Sequence, residues 1–394
     1  MPKQLLKECL NKTNHILLTN KKIAIIGGGP GGLTLARLLQ MQGAHVKIYE
    51  RDLHQDARAQ GATLDLHLEA GLKALQAAGL MSAFEANYRP GADRVRVMDS
   101  NASIVFDGHE TDGFEASRPE IDRGPLQKIL LRSLQAGSVI WDSHFTALKP
   151  YKNGWNIEFK NGSFAYADMV IAADGANSKL RPYVTMTKPF YTGITAVEGA
   201  VNAESSLGLK LNEILNGGKI FAFGNQQSII VSAKGDGSMN FYTGFKTSEN
   251  WVRESDIDFN DKMQVLSWFR QEFAVWDELW LELFENASYA FYPRPQYCMP
   301  VNEPWKTLPN LTMIGDAAHL MPPYAGEGVN MAMLDALELS ECLADKQFNS
   351  LQKALSAFEQ QMHKRSAEAA TLTLESTKVL HSTDAIEYLM NVMG

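Results

Sequence analysis

Residues 22–51 read KIAIIGGGPGGLTLARLLQMQGAHVKIYER, and their pattern decides the fold. Lys22 to Ile26 is apolar and β-branched and stops at a glycine cluster, as a buried strand does. Leu33 to Leu39 sets Leu and Ala at helical spacing, and Val46 to Tyr49 is a second strand. Strand, helix and strand within about 30 residues make a parallel crossover unit. Its first turn holds GxGxxG, with Gly27, Gly29 and Gly32 in the glycine places. Gly27 permits the tight turn, Gly29 lets a pyrophosphate approach the backbone, and Gly32 lets helix pack on strand. Pro30 and Gly31 lie between them, where a helix would turn its free N–H groups and positive dipole end toward phosphate. Glu50 closes the second strand, in the place of a carboxylate that accepts hydrogen bonds from an adenosine ribose. Arg51 follows and would lie along the adenine or its phosphate edge. The motif suits NAD and FAD equally.

Two later stretches bear on that choice. DMVIAADGANSKLR (168–181) is a strand that ends in Asp174-Gly175, followed by Ser178 and Arg181 at a helix start. Asp-Gly makes a sharp turn, and Asn177 or Ser178 is the expected cap. In MIGDAAHLMPPYAGEGVN (313–330), a short strand delivers Gly315-Asp316 to the end of the sheet. A carboxylate there suits a polyol such as a ribityl chain. Pro322 and Pro323 stiffen the turn. Gly326 and Gly328 leave the backbone bare before a helix expected from about Val329, with Asn330 beside it. Free N–H groups at that start would face the N1 and C2=O edge of a reduced flavin, whose anion the helix dipole favours.

With these motifs in order at 27–32, 174–181 and 315–330, the chain resembles the class A flavoprotein monooxygenases, the fold group of para-hydroxybenzoate hydroxylase. Glu327 departs from the pattern, since the family often has Gln there. A carboxylate facing the flavin N1 would oppose its anion, so its side chain is expected to turn away. A closer resemblance, carried by TLDLH (63–67), PEIDR (119–123), VIWD (139–142), EPWK (303–306), MIGDAAHLMPP (313–323) and FEQQM (358–362), is to the tetracycline-inactivating monooxygenases of the TetX type. It implies FAD as cofactor, NADPH as reductant, O2 as co-substrate and a tetracycline-like polycyclic substrate, oxygenated by a flavin hydroperoxide. The flavin carries the chemistry, so no catalytic side chain is nominated. By matching motif, Arg58 corresponds to an arginine near the flavin and nicotinamide path, Asp65 and Arg123 to FAD contacts, and Asp316 to the ribityl-binding acid. The family's substrate-facing Gln, Arg and His fall at Glu198, Lys219 and Asn240. Lys for Arg loses the planar fork and Asn for His removes a titratable donor. Leu380 is a further candidate for the substrate lining. Two other readings are an aromatic or polyketide hydroxylase of the same class and a flavin-binding protein without oxygenase activity.

The rest of the chain sets the frame. Its 394 residues are 45% hydrophobic and 21% charged with a net charge of −8, a globular mix of two to three domains in which phosphate-backbone binding is a poor default. Cys9, Cys298 and Cys342 lie far apart with no metal-type or CxxC spacing and read as reduced thiols. No run of eighteen apolar residues is present, and residues 1–22 read as a short amphipathic lead-in. A cytoplasmic monomer without nucleic-acid, membrane or metal partners is expected. Between about 190 and 245, strands alternate with Gly/Asn/Asp turns as an antiparallel sheet. Trp251, Trp268, Phe269, Phe273, Trp276 and Trp280 supply the core beneath it. The expected fold class is α/β: a Rossmann-like FAD-binding domain (1–75, 130–186 and 294–341), an interleaved β-sheet substrate domain (76–129 and 187–293), and a C-terminal helical segment (342–394).

Overall fold

The computed structural model describes residues 17–57, 63–109, 118–288 and 290–393. A five-stranded, all-parallel sheet runs in the order Leu311–Met313, Met169–Ala172, Lys22–Ile26, His45–Tyr49, Val139–Ile140. Its central strands are apolar on both faces because both are covered, one by helices and the other by a three-stranded antiparallel sheet of Phe145–Tyr151, Gly154–Phe159 and Phe164–Ala167. Ile23 through Ile26 and Met169 through Ala172 are all buried. On one side lies the helix Pro30–Met41, packed in turn against Glu327–Ala344. Gly31 permits that approach, since a Cβ there would meet the Ala332 carbonyl at 2.9 Å.

The second large sheet has seven strands, in the order Tyr292–Cys298, Phe190–Val201, Met239–Lys246, Gln227–Ala233, Lys219–Gly224, Val95–Asp99, Ile104–Asp107. The four strands between 190 and 246 are antiparallel neighbours. Lys219–Gly224 then pairs in parallel with Val95–Asp99, so the whole sheet is mixed. That parallel join is long-range and leaves no local turn signal. Alternation gives the sheet two unlike faces. Val197, Ile229, Val231, Met239, Phe241 and Phe245 turn to an aromatic core with Trp268, Phe269, Trp280 and Phe284 from the helices Lys262–Glu272 and Glu278–Glu285. Phe269 and Phe284 stack there at 4.0 Å between ring centroids. The opposite face carries Glu198, Lys219, Ser228, Asn240, Tyr242 and Gly244.

Two smaller pieces complete the frame. Thr63–Asp65 pairs antiparallel with Glu120–Asp122, a ribbon the sequence pattern does not signal because each strand is three residues long. The helix Leu351–Leu380 spans about 45 Å at the usual rise per residue. Near its start Glu359 accepts hydrogen bonds from Thr307 and Thr312 beside the parallel sheet, at 2.6 and 2.7 Å. At its end Leu380 packs with Val97 and Phe223 of the seven-stranded sheet. The fold is therefore mixed α/β, with a Rossmann-like parallel sheet, a second β-sheet unit and C-terminal helices. The last region is helical over Glu327–Ala344, Leu351–Leu380 and Ala385–Met393.

Candidate active site

The glycine turn is forced by its surroundings. Gly27 has φ +112°, and a Cβ on it would fall 2.2 Å from the Ala173 carbonyl oxygen. A Cβ on Gly32 would fall 2.2 Å from the Gly27 carbonyl oxygen. Gly29 meets nothing within 4 Å, so its backbone borders open space where a pyrophosphate would lie. The helix that starts at Pro30 has no side-chain cap and no acid in its first turn, which leaves its N–H groups for an anion. Glu50 is buried and accepts a 2.6 Å hydrogen bond from the Gly28 N–H and a 3.1 Å bond from the Asp52 N–H. Arg51 is exposed at the end of its strand. Arg58 lies outside the described residues.

The second and third motifs are stitched to this turn and to each other. Asp174 Oδ2 accepts from the Lys179 and Leu180 N–H groups, while its Oδ1 is buried with no hydrogen-bond partner among the described residues. The helix Arg181–Val184 has Leu180 at its N-cap and no side-chain cap, so neither Asn177 nor Ser178 takes the expected place; Ser178 instead accepts from the Arg181 N–H at 2.9 Å. The Arg181 guanidinium donates to the carbonyls of Ala317 and Asp316 at 2.9 and 2.8 Å, tying the DG turn to the GD turn. Burial raises the Asp316 carboxyl above its ordinary range, against the pull of His319, Arg123 and Arg181. Its Oδ1 lies 3.8 Å from where a Gly328 Cβ would stand.

The helix after the third motif begins at Glu327, two residues before the expected Val329, because Gly326 at φ +71° already ends the turn Pro323–Ala325. Asn330 is fully buried and fixes this start. Its amide donates to the Asp65 and Gly326 carbonyls at 2.9 and 3.1 Å, and its Oδ1 accepts from the His67 and Gly71 N–H groups at 2.8 and 3.2 Å. At about 1 kcal/mol per bond this is a substantial local clamp. Asp65 stands against bare Gly326, where a Cβ would meet its Oδ2 at 2.7 Å. Glu327 Oε2 is 3.8 Å from His67 Nδ1. His319 is buried in an ion network. Its Nε2 is 2.6 Å from Asp335 Oδ2, and Asp335 also takes Arg365 at 2.5 Å and the Gly315 N–H at 2.8 Å. Burial works against protonation of His319, and the Asp335 carboxylate outweighs it, so the imidazole sits above its usual range.

The residues matched to the substrate side lie on the polar face of the large sheet. Glu198 is the hub: Tyr242 donates to it at 3.1 Å, the Asn240 amide at 3.4 Å and the Arg294 guanidinium at 3.0 and 2.9 Å. Burial and the Glu198 charge push the Tyr242 hydroxyl up to about 12, so it remains a donor. Lys219 stands in the same cross-strand row as Ser232 and Asn240. Its ammonium is paired with Glu120, which is 1% exposed on the small ribbon beside Asp65. Leu380 sits apart from this cluster, buried with Val97, Phe223, Ala385 and Leu389. Arg123 begins the helix Arg123–Arg132 and is close enough to act electrostatically on both Asp316 and Tyr242. Sequence reasoning missed Glu120, Tyr242 and Arg294. Tyr242 alone left a signal, being two positions from Asn240 and hence on its face. A cavity of about 560 Å3 opens further along, between Tyr191, Ile194, Lys246, Thr377 and His381. Among the described residues no group of three or more His, Cys, Asp or Glu is placed to hold a metal ion, and no helix is long and apolar enough to cross a membrane.

A family model described as FAD binding domain matches residues 20–123 and 301–373, which include all but the DG turn of the cofactor side. Monooxygenase penA of Penicillium thymicola is 27% identical over 94% of this chain and 98% of its own length. Among solved structures, HpxO of Klebsiella pneumoniae in complex with FAD and uric acid has a TM-score of 0.75 at 22% identity, over 94% of this chain and 91% of its own. Tetracycline destructase Tet(51) has a TM-score of 0.70 at 20% identity, over 94% of both chains. The two structural likenesses are likenesses of fold.

Proposed function

We propose, from the premise that this chain carries an FAD-binding domain on the fold of the flavoprotein monooxygenases, that it spends NADPH and O2 to hydroxylate a polycyclic, tetracycline-like substrate. At the coarser level the protein is an FAD-dependent monooxygenase. The observation that supports the reading is the close approach of three backbone stretches: a Cβ on Gly27 would strike Ala173 and Asp174 of the DG turn, and one on Gly31 would strike Ala332 in the helix that starts just after bare Gly326. FAD bound there supplies the reducing and oxygen-activating chemistry.

The side chains hold and exclude. The open backbone at Gly29 and the first turn after Pro30 would take the pyrophosphate, and Glu50 the ribose hydroxyls. Asp316 would take ribityl hydroxyls. Gly326, Gly328 and Val329, at the start of their helix, would turn N–H groups to the flavin's pyrimidine edge. Asp174, Asp65 and Arg123 would flank the same cofactor, and Pro323 would stiffen its turn. On the facing sheet Tyr242 and Asn240 would donate to an enol or carbonyl of the substrate. Glu198 would accept from its hydroxyls, with the apolar ring edges beside Phe221 and Ile230.

A second reading, a hydroxylase of another aromatic or polyketide, is favoured by one observation. Lys219 and Glu198 are each already neutralised, by Glu120 and Arg294. That arrangement differs from a free arginine and glutamine. Purified protein given NADPH and a tetracycline separates the readings. A product heavier by one oxygen supports the first. NADPH loss stimulated only by other phenols supports the second.

A further inference from the structure

The C-terminal end of the helix Leu351–Leu380 places His381, fully buried, against the turn Pro323–Ala325 that precedes the bare Gly326. Its ring is oriented from both sides. Nδ1 lies 2.8 Å from the Thr377 carbonyl, which only accepts, so Nδ1 carries the proton and Nε2 is the acceptor. Two hydroxyls reach Nε2, from Ser228 of the large sheet at 3.2 Å and from Tyr324 of the turn at 3.4 Å. The rings of Tyr324 and His381 also meet edge to face at 4.9 Å.

Gly244 makes this meeting possible. A Cβ on it would fall 2.4 Å from Ser228 Oγ, 2.5 Å from His381 Nε2 and 2.8 Å from Tyr324 Oη. Three elements far apart in sequence therefore share one point. We propose that His381 is a positioning residue: it accepts the Tyr324 hydroxyl and so holds the Pro323–Gly326 turn at the height where the next N–H groups meet the flavin. The inference rests on the reading that FAD lies against Gly326–Asn330. Of the charged or titratable groups facing the ring, Lys246 comes from the sheet and Tyr324 from the turn. Burial and Lys246 hold the imidazole down to about 4 against the Thr377 carbonyl, so it stays neutral and accepting at neutral pH.

The test is a fluorescence titration of FAD into apoprotein for wild type, Tyr324→Phe, His381→Leu, His381→Gln and the Tyr324→Phe/His381→Leu double variant. The expected result is about tenfold weaker FAD binding in Tyr324→Phe and His381→Leu, the loss of one oriented hydrogen bond. The double variant should be no weaker than the worse single variant. His381→Gln, whose amide oxygen can accept in the same place, should return to within about threefold of wild type. Tyr324→Phe keeps the ring and its packing, so it decides the matter if His381→Leu is unfolded by circular dichroism. Unchanged FAD affinity in Tyr324→Phe, or losses that add in the double variant, would overturn the positioning role alone. A wild-type chain that takes up no FAD would overturn the functional reading with it.

Discussion

The proposed cofactor site and the proposed substrate site are built by opposite means. On the cofactor side the decisive atoms belong to the backbone, and side chains such as Glu50, Arg181 and Asn330 serve to hold backbone in place. On the substrate side the decisive atoms are side chains of a sheet, and each charged one is already matched by another. A backbone site tolerates few substitutions, because a Cβ or a changed φ displaces the chain itself. A side-chain site can exchange one donor for another while the fold stays intact.

Breaking the backbone side should have the largest effect. Gly27→Ala puts a Cβ 2.2 Å from the Ala173 oxygen at a φ of +112°. The expected outcome is loss of bound flavin and a destabilisation of about 3 kcal/mol or more, read by absorbance of the purified protein and by chemical denaturation. Next comes the one place where the substrate side is structural. Lys219→Met leaves the 1% exposed Glu120 carboxylate unpaired and should cost about 3–5 kcal/mol. The Lys219→Met/Glu120→Gln double variant should recover most of that loss in the same denaturation measurement. An unstable double variant would mean that the sheet needs the charges themselves.

A pH titration sharpens the comparison at the His381 junction. Its folded value near 4 lies below the ordinary histidine value of about 6.5, so the unfolded chain binds the proton first as pH falls. The stability due to the neutral ring is full above about 6.5 and is lost progressively down to about 4, by roughly 3 kcal/mol at most. The slope of unfolding free energy against pH between 6.5 and 4.5 should flatten in His381→Gln. An unchanged slope would assign it to other groups, Asp335 among them, whose carboxyl burial would raise but His319 and Arg365 hold low. The smallest effect belongs to Glu198→Gln, which leaves the flavin groups untouched. It should leave FAD affinity within about twofold and raise the substrate KM by about tenfold, roughly the worth of one charge-assisted hydrogen bond.

The same contrast explains what could be read from the sequence. Gly27, Gly29, Gly32, Asp174, Asp316, Gly326 and Asn330 stand at fixed offsets because a turn geometry demands them, and each motif is local. The parallel sheet and the aromatic core under the large sheet were legible for a similar reason, as short apolar runs and clustered Trp and Phe. Glu120 with Lys219, Glu198 with Arg294, and His381 with Tyr324 join residues about 57 to 99 positions apart by sheet pairing and helix packing, and no spacing rule announces them. The parallel join of Lys219–Gly224 to Val95–Asp99 was hidden for that reason too.

Three separated backbone stretches are proposed to close around one FAD. Calorimetric titration of FAD into the apoprotein, with Gly27→Ala in parallel, tests this most directly. One FAD should bind per wild-type chain and none to a folded Gly27→Ala chain. Wild-type protein that binds no FAD, or a Gly27→Ala chain that binds it as tightly as wild type, would contradict it.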